Sequence, residues 1–305
     1  MEPSPLKVYG CIPAYNEETR IAPVIARLKT KVDKIIVCDD GSTDLTATIA
    51  EMMGAEVIRH PNNMGKGVAL RTLFKTALGQ GADAVVTIDA DGQHNPDEAP
   101  RLLAPILAGS ADVVNGNRLG SDMPTHRKMG NRLLTGMTNS ASGTKILDAQ
   151  SGFRAYSARA ISKLNLTTSG MGIDSEIVME ASKLGLRIEE VEVSTKYHPD
   201  SSTHHPARHI GDVALSIIGR VIQSSPLRYL SIPGVVLLVI GFSMIPIVLN
   251  YYVAQRYFSV PFSILSIAFI LFGSLLFIAG LILYAIARMA DRMPPTTQAS
   301  ERAQG

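Results

Sequence analysis

Two apolar stretches near the C-terminal end, Leu227 to Ala254 and Val260 to Ala287, constrain this chain more than any other feature. Each exceeds the roughly 20 residues that a helix needs to cross a hydrocarbon core of about 30 Å. A chain of 305 residues has too little other structure to bury both, so they are expected to span a membrane. Pro233 and Pro246 predict a kink in the first span, which membrane helices tolerate. The short connection Tyr251–Ser259 predicts an antiparallel hairpin. Tyr229, Tyr251, Tyr252, Tyr257 and Tyr284 lie near the span ends, where interfacial aromatics belong. Arg208, Arg220 and Arg228 precede the first span and Arg288 and Arg292 follow the second, whereas the connection holds only Arg256. The positive-inside rule therefore predicts a multi-pass membrane protein with both termini cytoplasmic. A two-helix hairpin needs neighbours to pack against, which makes a homo-oligomer one possible state.

The part before the hairpin reads as a water-facing domain. A net charge of +2, with no long basic run, gives no footprint for nucleic acid. Cys11 and Cys38 lie in apparent strands without metal-like spacing and read as buried apolar residues of a reducing compartment. The polar start Met1–Lys7 lacks the apolar core of a signal peptide. Apolar runs predict strands at Val8–Ile12, Lys34–Cys38, Glu56–Arg59, Ala84–Ile88, Asp112–Asn115 and Ile188–Val193. Helical patterns lie between them, at Leu45–Met53, Val68–Gly79, Lys128–Ser140 and Glu176–Gly185 among others. This alternation predicts an α/β fold, a mostly parallel sheet covered by helices on both faces. Such sheets bind ligands beyond the carboxyl ends of their strands. Residues 1–207 are assigned to this domain and 227–290 to the two membrane helices. Residues 208–226 carry Ile210, Val213, Ile217, Ile218 and Val221 at helical spacing, which fits an amphipathic helix on a membrane surface or an ordinary core-facing helix. The polar residues 291–305 are expected to be disordered.

The strand Ala84–Ile88 runs into Asp89 and Asp91. Strand side chains repeat with period two, which puts both carboxylates on one side. Two converging carboxylates repel unless a cation lies between them, and a hard ion such as Mg²⁺ suits that oxygen-rich setting together with substrate phosphates. The alternative is a pair of solvated turn acids before Gly92.

Four motifs are placed in loops after strands. They are Pro13-Ala14-Tyr15-Asn16-Glu17, Cys38-Asp39-Asp40-Gly41-Ser42-Thr43-Asp44, Asp89-Ala90-Asp91-Gly92-Gln93-His94 and Asp148-Ala149-Gln150-Ser151-Gly152-Phe153-Arg154. In order and content they resemble the inverting family 2 glycosyltransferases with the GT-A fold, and within them the polyprenyl-phosphate enzymes of the dolichyl-phosphate mannose synthase type. The resemblance covers about the first 220 residues, and the hairpin resembles the membrane anchor of a subset of those enzymes. It implies that Pro13, Tyr15 and Glu17 hold the nucleotide base and ribose, that Asp39 and Asp40 accept hydrogen bonds from base or ribose, and that Lys66 and Asp89 lie near the nucleotide. It implies a Mg²⁺ or Mn²⁺ ion on Asp89, Asp91 and Gln93. It also implies that Arg118, Arg132 and Thr135 hold the acceptor phosphate, with Gln150, Ser151 and Arg154 on the acceptor-side loop. The loop after Tyr197 departs from related sequences: it holds His198, His204, His205, Arg208 and His209, of which Arg208 is the candidate for closing on the phosphates.

What the resemblance implies is transfer of a sugar from a GDP- or UDP-linked donor to polyprenyl (dolichyl) phosphate. The catalytic residues would be Asp91, Arg118 and Arg132. A lipid phosphate is already an anion near neutral pH, so its attack needs no strong base. The main task is to neutralise two anions as they meet. Two other readings stand beside this one: transfer to a glycolipid hydroxyl or polymer, and a non-catalytic membrane scaffold. The sequence leaves the donor sugar open.

Overall fold

The computed structural model describes residues 6–118, 123, 125–196, 211, 214–215, 219, 227–256 and 259–292. The chain forms two units, Met1–Ile217 and Ile218–Gly305. Most of the candidate amphipathic helix, Arg208, the histidine loop and residues 293–305 lie outside the described residues, while 291 and 292 of the expected polar tail close the last helix.

In the first unit, strands β1 (Val8–Ala14), β2 (Lys34–Asp39), β3 (Glu56–Arg59), β4 (Ala84–Thr87), β5 (Val113–Asn117), β6 (Arg154–Ser157) and β7 (Ile188–Glu192) form one sheet. Its order is β3-β2-β1-β4-β6-β5-β7. The pairs β1–β2, β1–β4, β2–β3 and β5–β7 are parallel, while β6 runs antiparallel to both β4 and β5. Helices α1 (Ile21–Leu28), α2 (Thr46–Met52), α3 (Lys66–Gly79), α4 (Ala99–Leu107), α5 (Thr125–Ser142), α6 (Ala158–Lys163) and α7 (Ile173–Lys183) connect the strands.

The strand period divides the core into two layers. Ile12, Val37, Val86 and Ala155 pack on one face with Ile25, Leu28, Leu102 and Leu103 of α1 and α4. Their neighbours Cys11, Ile36, Val85 and Tyr156 pack on the other face with Leu70, Leu73, Phe74 and Ile177 of α3 and α7. Because the central strands are covered on both sides, their sequences are continuous apolar runs. Both cysteines are free and buried, as expected for packing residues.

The expected parallel strands are present within one or two residues. The exception is β6, whose short segment Arg-Ala-Tyr-Ser carries no apolar run. Its reversal corrects one expectation: the Asp148–Arg154 motif does not follow a strand but leads into one. The chain moves from β2 and β3 on one side of β1 to β4 on the other, which makes the gap between the carboxyl ends of β1 and β4 a topological switch point.

Among the described residues, the second unit holds a π-helical turn, Leu227–Ser231, and the helices α8 (Ile232–Gln255) and α9 (Val260–Arg292). Both are long and apolar enough to cross a membrane. Gly234, Gly241, Gly273 and Gly280 lie where they meet: a Cβ on Gly273 would come within 2.8 Å of the Gly234 carbonyl oxygen. The Ser266 hydroxyl donates to the Gly241 carbonyl at 2.7 Å. Small residues and such hydrogen bonds let membrane helices approach closely where no hydrophobic force draws them together.

Candidate active site

The loops after β1, β2 and β4 open at the switch point. Asn16, at φ 53°, takes the left-handed turn that ends β1. Its N–H donates to Ser42 Oγ at 2.9 Å, and its Oδ1 accepts from the Thr43 N–H at 2.9 Å. The Glu17 N–H donates to Thr46 Oγ1 at 2.8 Å, so the first two loops are stitched together. Pro13 is half-buried and Tyr15 is exposed at this rim. Glu17 pairs with Arg20 at 3.2 Å, and burial holds its carboxyl above the usual range despite that partner.

Asp39 and Asp40, indistinguishable in the sequence, have different surroundings. Asp39 is fully buried; it accepts from the Ser42 N–H at 3.1 Å and from Arg59 Nε at 3.1 Å. Asp40 accepts from the Met64 N–H at 3.0 Å, the Gly65 N–H at 2.7 Å and His60 Nδ1 at 2.7 Å. These bonds commit its carboxylate to holding the turn before α3. Both carboxylates are thus already bonded within the protein, Asp39 to Ser42 and Arg59 and Asp40 to the turn before α3.

Gly65 and Gly67 bring that turn against a second segment, since a Cβ on Gly67 would lie 2.0 Å from the Thr168 carbonyl oxygen. Between the two glycines, Lys66 points into the mouth. Its ammonium lies 2.9 Å from Asp89 Oδ1 and 3.1 Å from Asp174 Oδ2. Burial disfavours this charge, but Asp174 and Asp89 outweigh it and raise the Lys66 pKa.

Strand β4 ends at Thr87, so Asp89 and Asp91 lie in the turn beyond it rather than within the strand. The turn still brings them together. Burial, then the charge of Asp89, pushes Asp91 up to about 7. Burial opposes the charge of Asp89 as well, yet Lys66 and Arg118 hold its carboxyl below the usual range. The Gln93 N–H donates to Asp91 Oδ1 at 3.0 Å, which fixes the turn. Among the described residues no three His, Cys, Asp or Glu side chains are grouped to hold a metal alone. Two oxygen donors whose mutual repulsion raises one pKa nevertheless fit a hard divalent ion that completes its shell with substrate oxygens.

At the residues expected on the acceptor side, Arg118 makes a two-pronged pair with Asp148, Nε–Oδ2 at 2.6 Å and Nη2–Oδ1 at 2.9 Å. Burial would raise Asp148, but Arg118 outweighs it and keeps the carboxyl low, which makes it a poor base. Arg132 is exposed on α5. Thr135 is buried and accepts from the Ala149 N–H at 3.1 Å. Gln150 donates to Ser175 Oγ at 2.6 Å, and the buried Ser151 accepts from the Phe153 N–H at 3.4 Å. Arg154 is 1% exposed and donates to the Asp174 and Ala149 carbonyls at 2.9 and 2.8 Å. Thr135, Ser151 and Arg154 thus brace the loop that carries Asp148 from within.

Three further residues matter here. Gly152 lets the acceptor loop rest on Asp89, because a Cβ there would lie 2.2 Å from Asp89 Oδ2. The buried imidazole of His94 packs on the Phe153 ring, and burial pushes its pKa down to about 3, so it is neutral. Asp174 reaches Lys66 from a helix 108 residues further along the chain. Only the family motifs could have hinted at the first two, and no spacing links the third to Lys66.

The model of Glycosyl transferase family 2 matches residues 11–164. A UDP-N-acetylglucosamine–dolichyl-phosphate N-acetylglucosaminyltransferase of Methanococcus voltae is 36% identical over 215 residues, covering 62% of this chain and 86% of that protein. The glycosyltransferase AglJ of Haloferax volcanii is 29% identical over 92% of this chain and 93% of its own. A solved glucosyl-3-phosphoglycerate synthase of Mycobacterium tuberculosis, with Mn²⁺, UDP-glucose and phosphoglyceric acid, is 27% identical at a TM-score of 0.59, covering 71% of this chain and 80% of that one. The mixed sheet is the GT-A fold, and the chain belongs to glycosyl transferase family 2.

Proposed function

We propose that this protein transfers a sugar from a UDP- or GDP-linked donor to polyprenyl (dolichyl) phosphate, inverting the anomeric carbon. The supporting observation is that Asp148, the acid on the acceptor side, is held ionised and doubly bonded by Arg118. A hydroxyl acceptor needs a base at that point, whereas a phosphate oxygen attacks as it stands. The named acceptor of the Methanococcus voltae relative has the same chemistry.

In this reading Pro13, Tyr15, Glu17 and Asp39 line the base and ribose, and Lys66 serves the diphosphate. Asp89, Asp91 and Gln93 would hold Mg²⁺ or Mn²⁺, whose charge would favour departure of the diphosphate. Arg118, aimed by Asp148, and Arg132 would neutralise and orient the incoming phosphate, with Arg208 as a further candidate. Thr135, Gln150, Ser151 and Arg154 brace the loop that carries Asp148. The hairpin keeps the domain at the bilayer where a lipid phosphate resides. The arginines flanking the two spans favour a cytoplasmic domain and termini.

The test uses the full chain in nanodiscs with dolichyl or undecaprenyl phosphate, Mn²⁺ and labelled UDP-N-acetylglucosamine, UDP-glucose or GDP-mannose. One donor should give an acid-labile, lipid-linked sugar, and Asp91→Ala should remove it. An acid-stable glycoside, or no lipid product with any donor, overturns the proposal.

A further inference from the structure

Lys66 is placed where a metal-site carboxylate already has a cation. Its ammonium reaches both oxygens of Asp89, at 2.9 and 3.2 Å, and Oδ2 of Asp174 at 3.1 Å. The ammonium donates one hydrogen bond to each carboxylate and pairs electrostatically with the second Asp89 oxygen. The side chain is mostly buried, at 13% exposure, and the Asp174 side chain is 8% exposed. Gly65 and Gly67 lock the backbone on either side of it against Thr168 and Ser169. This lysine has little freedom to leave, but its ammonium can shift along the line between its two carboxylates.

We infer that Lys66 is the exchangeable counter-ion of Asp89 and that Asp174 is the positioning residue that retains it when a divalent ion takes its place. The inference rests on the proposed metal site at Asp89 and Asp91. An ammonium and a divalent ion on one carboxylate repel each other, so the ion must displace Lys66 from Asp89. The displaced ammonium stays charged, since Asp174 still faces it, and has lost one of its two carboxylates. A nucleotide diphosphate supplies the missing negative charge. Metal alone therefore binds against competition from Lys66, and metal with nucleotide does not. Each ligand tightens the other by the same factor, as linkage requires.

The measurement is Mn²⁺ affinity of the full-length protein in detergent, read by the electron paramagnetic resonance of free Mn²⁺, with and without UDP or GDP. Lys66→Met should bind Mn²⁺ alone about tenfold more tightly than wild type, the scale of ordinary coupling between sites. Asp174→Asn should bind it more weakly, because Lys66 then has Asp89 as its one carboxylate. In the double variant the Asp174 effect should vanish, because Asp174 acts through Lys66. Lys66→Gln, which keeps a hydrogen-bond donor without charge, replaces the Met variant if that one does not fold. A Lys66 variant that binds Mn²⁺ no more tightly than wild type overturns the inference. So does an Asp174 effect that persists undiminished in the double variant, which would make Asp174 a direct ligand. Wild type that binds no Mn²⁺ even with nucleotide instead removes the metal site itself, and the inference with it.

Discussion

Replacing Gly152 by alanine tests how tightly the acceptor loop and the metal-site carboxylate are fitted together. The new Cβ would lie 2.2 Å from Asp89 Oδ2 and 2.6 Å from its Cγ, where contacts under 3.0 Å are essentially never seen. Gly152 does not have a positive φ, so the alanine meets a steric problem and not a backbone one. Asp89 is not free to swing aside: Lys66 pairs with it here, and on the proposed reading a bound divalent ion would hold it in turn. Either the carboxylate or the loop must retreat by roughly 1 Å, and a misplacement of that size can cost about 10²-fold in rate. That factor corresponds to about 2.7 kcal/mol of transition-state stabilisation. Overpacking of this kind destabilises the fold by about 1–3 kcal/mol, so the variant should still fold. The assay is the initial rate of lipid-linked sugar formation at saturating donor across a Mn²⁺ titration, with circular dichroism to confirm folding. Turnover within about twofold of wild type would refute the reasoning, because the expected loss from such a displacement is far larger.

Asp148→Asn removes the carboxylate that grips Arg118 at two points, and breaking such a buried pair costs about 3–5 kcal/mol, measurable by denaturant unfolding. The folded pKa of Asp148 is depressed, so its contribution is complete above the unfolded value of about 3.9 and is lost as pH falls through the folded one. The gap between wild type and variant should therefore narrow in acid; a gap unchanged down to about pH 2 contradicts the assignment. Asp91, pushed up to about 7, holds a proton below that pH that a metal ion must expel. Mn²⁺ affinity should be flat above neutrality and fall by about tenfold per pH unit below it; affinity independent of pH between about 5.5 and 8 counts against the ligand assignment. In the hairpin, Gly273→Leu would force a Cβ to within 2.8 Å of the Gly234 oxygen and 2.9 Å of the Leu238 nitrogen, both backbone atoms that cannot yield. Its melting temperature in nanodiscs should fall by several degrees; an unchanged value would argue against this close packing.

The sequence makes the central strands legible because they are covered on both faces and must be apolar throughout, as Ala84–Val86 and Ile35–Cys38 are. It hides β6, whose four residues start with an arginine that serves two carbonyls from within the fold. The candidate site divides in the same way. Asp89 and Asp91 announce themselves by spacing. Asp39 and Asp40 look alike in the sequence, and their separation follows from the loop before α3 closing over one of them. Asp174 reads as an ordinary acid in the first turn of α7, because its partner is far away in the chain and close only in the fold. Arg154, Ser151 and Thr135 have the chemistry of phosphate ligands, and the sequence gives no sign that the fold buries them and bonds them to the loop they belong to.

The reversed strand has a consequence for how such an enzyme can change its second substrate. The loops that follow β1, β2 and β4 are each the start of a crossover whose helix must pack back onto the sheet, so their lengths are tied to the core. The segment between α5 and β6 arrives at the same rim from the opposite direction, as the lead-in to a strand that pairs antiparallel on both sides. Residues inserted at its α5 end, away from the Gly152 turn that rests on Asp89, would reshape this rim while leaving strand register and the loops after β1, β2 and β4 where they are. On the proposed reading, the acceptor side of the rim can vary without rebuilding the side assigned to the nucleotide.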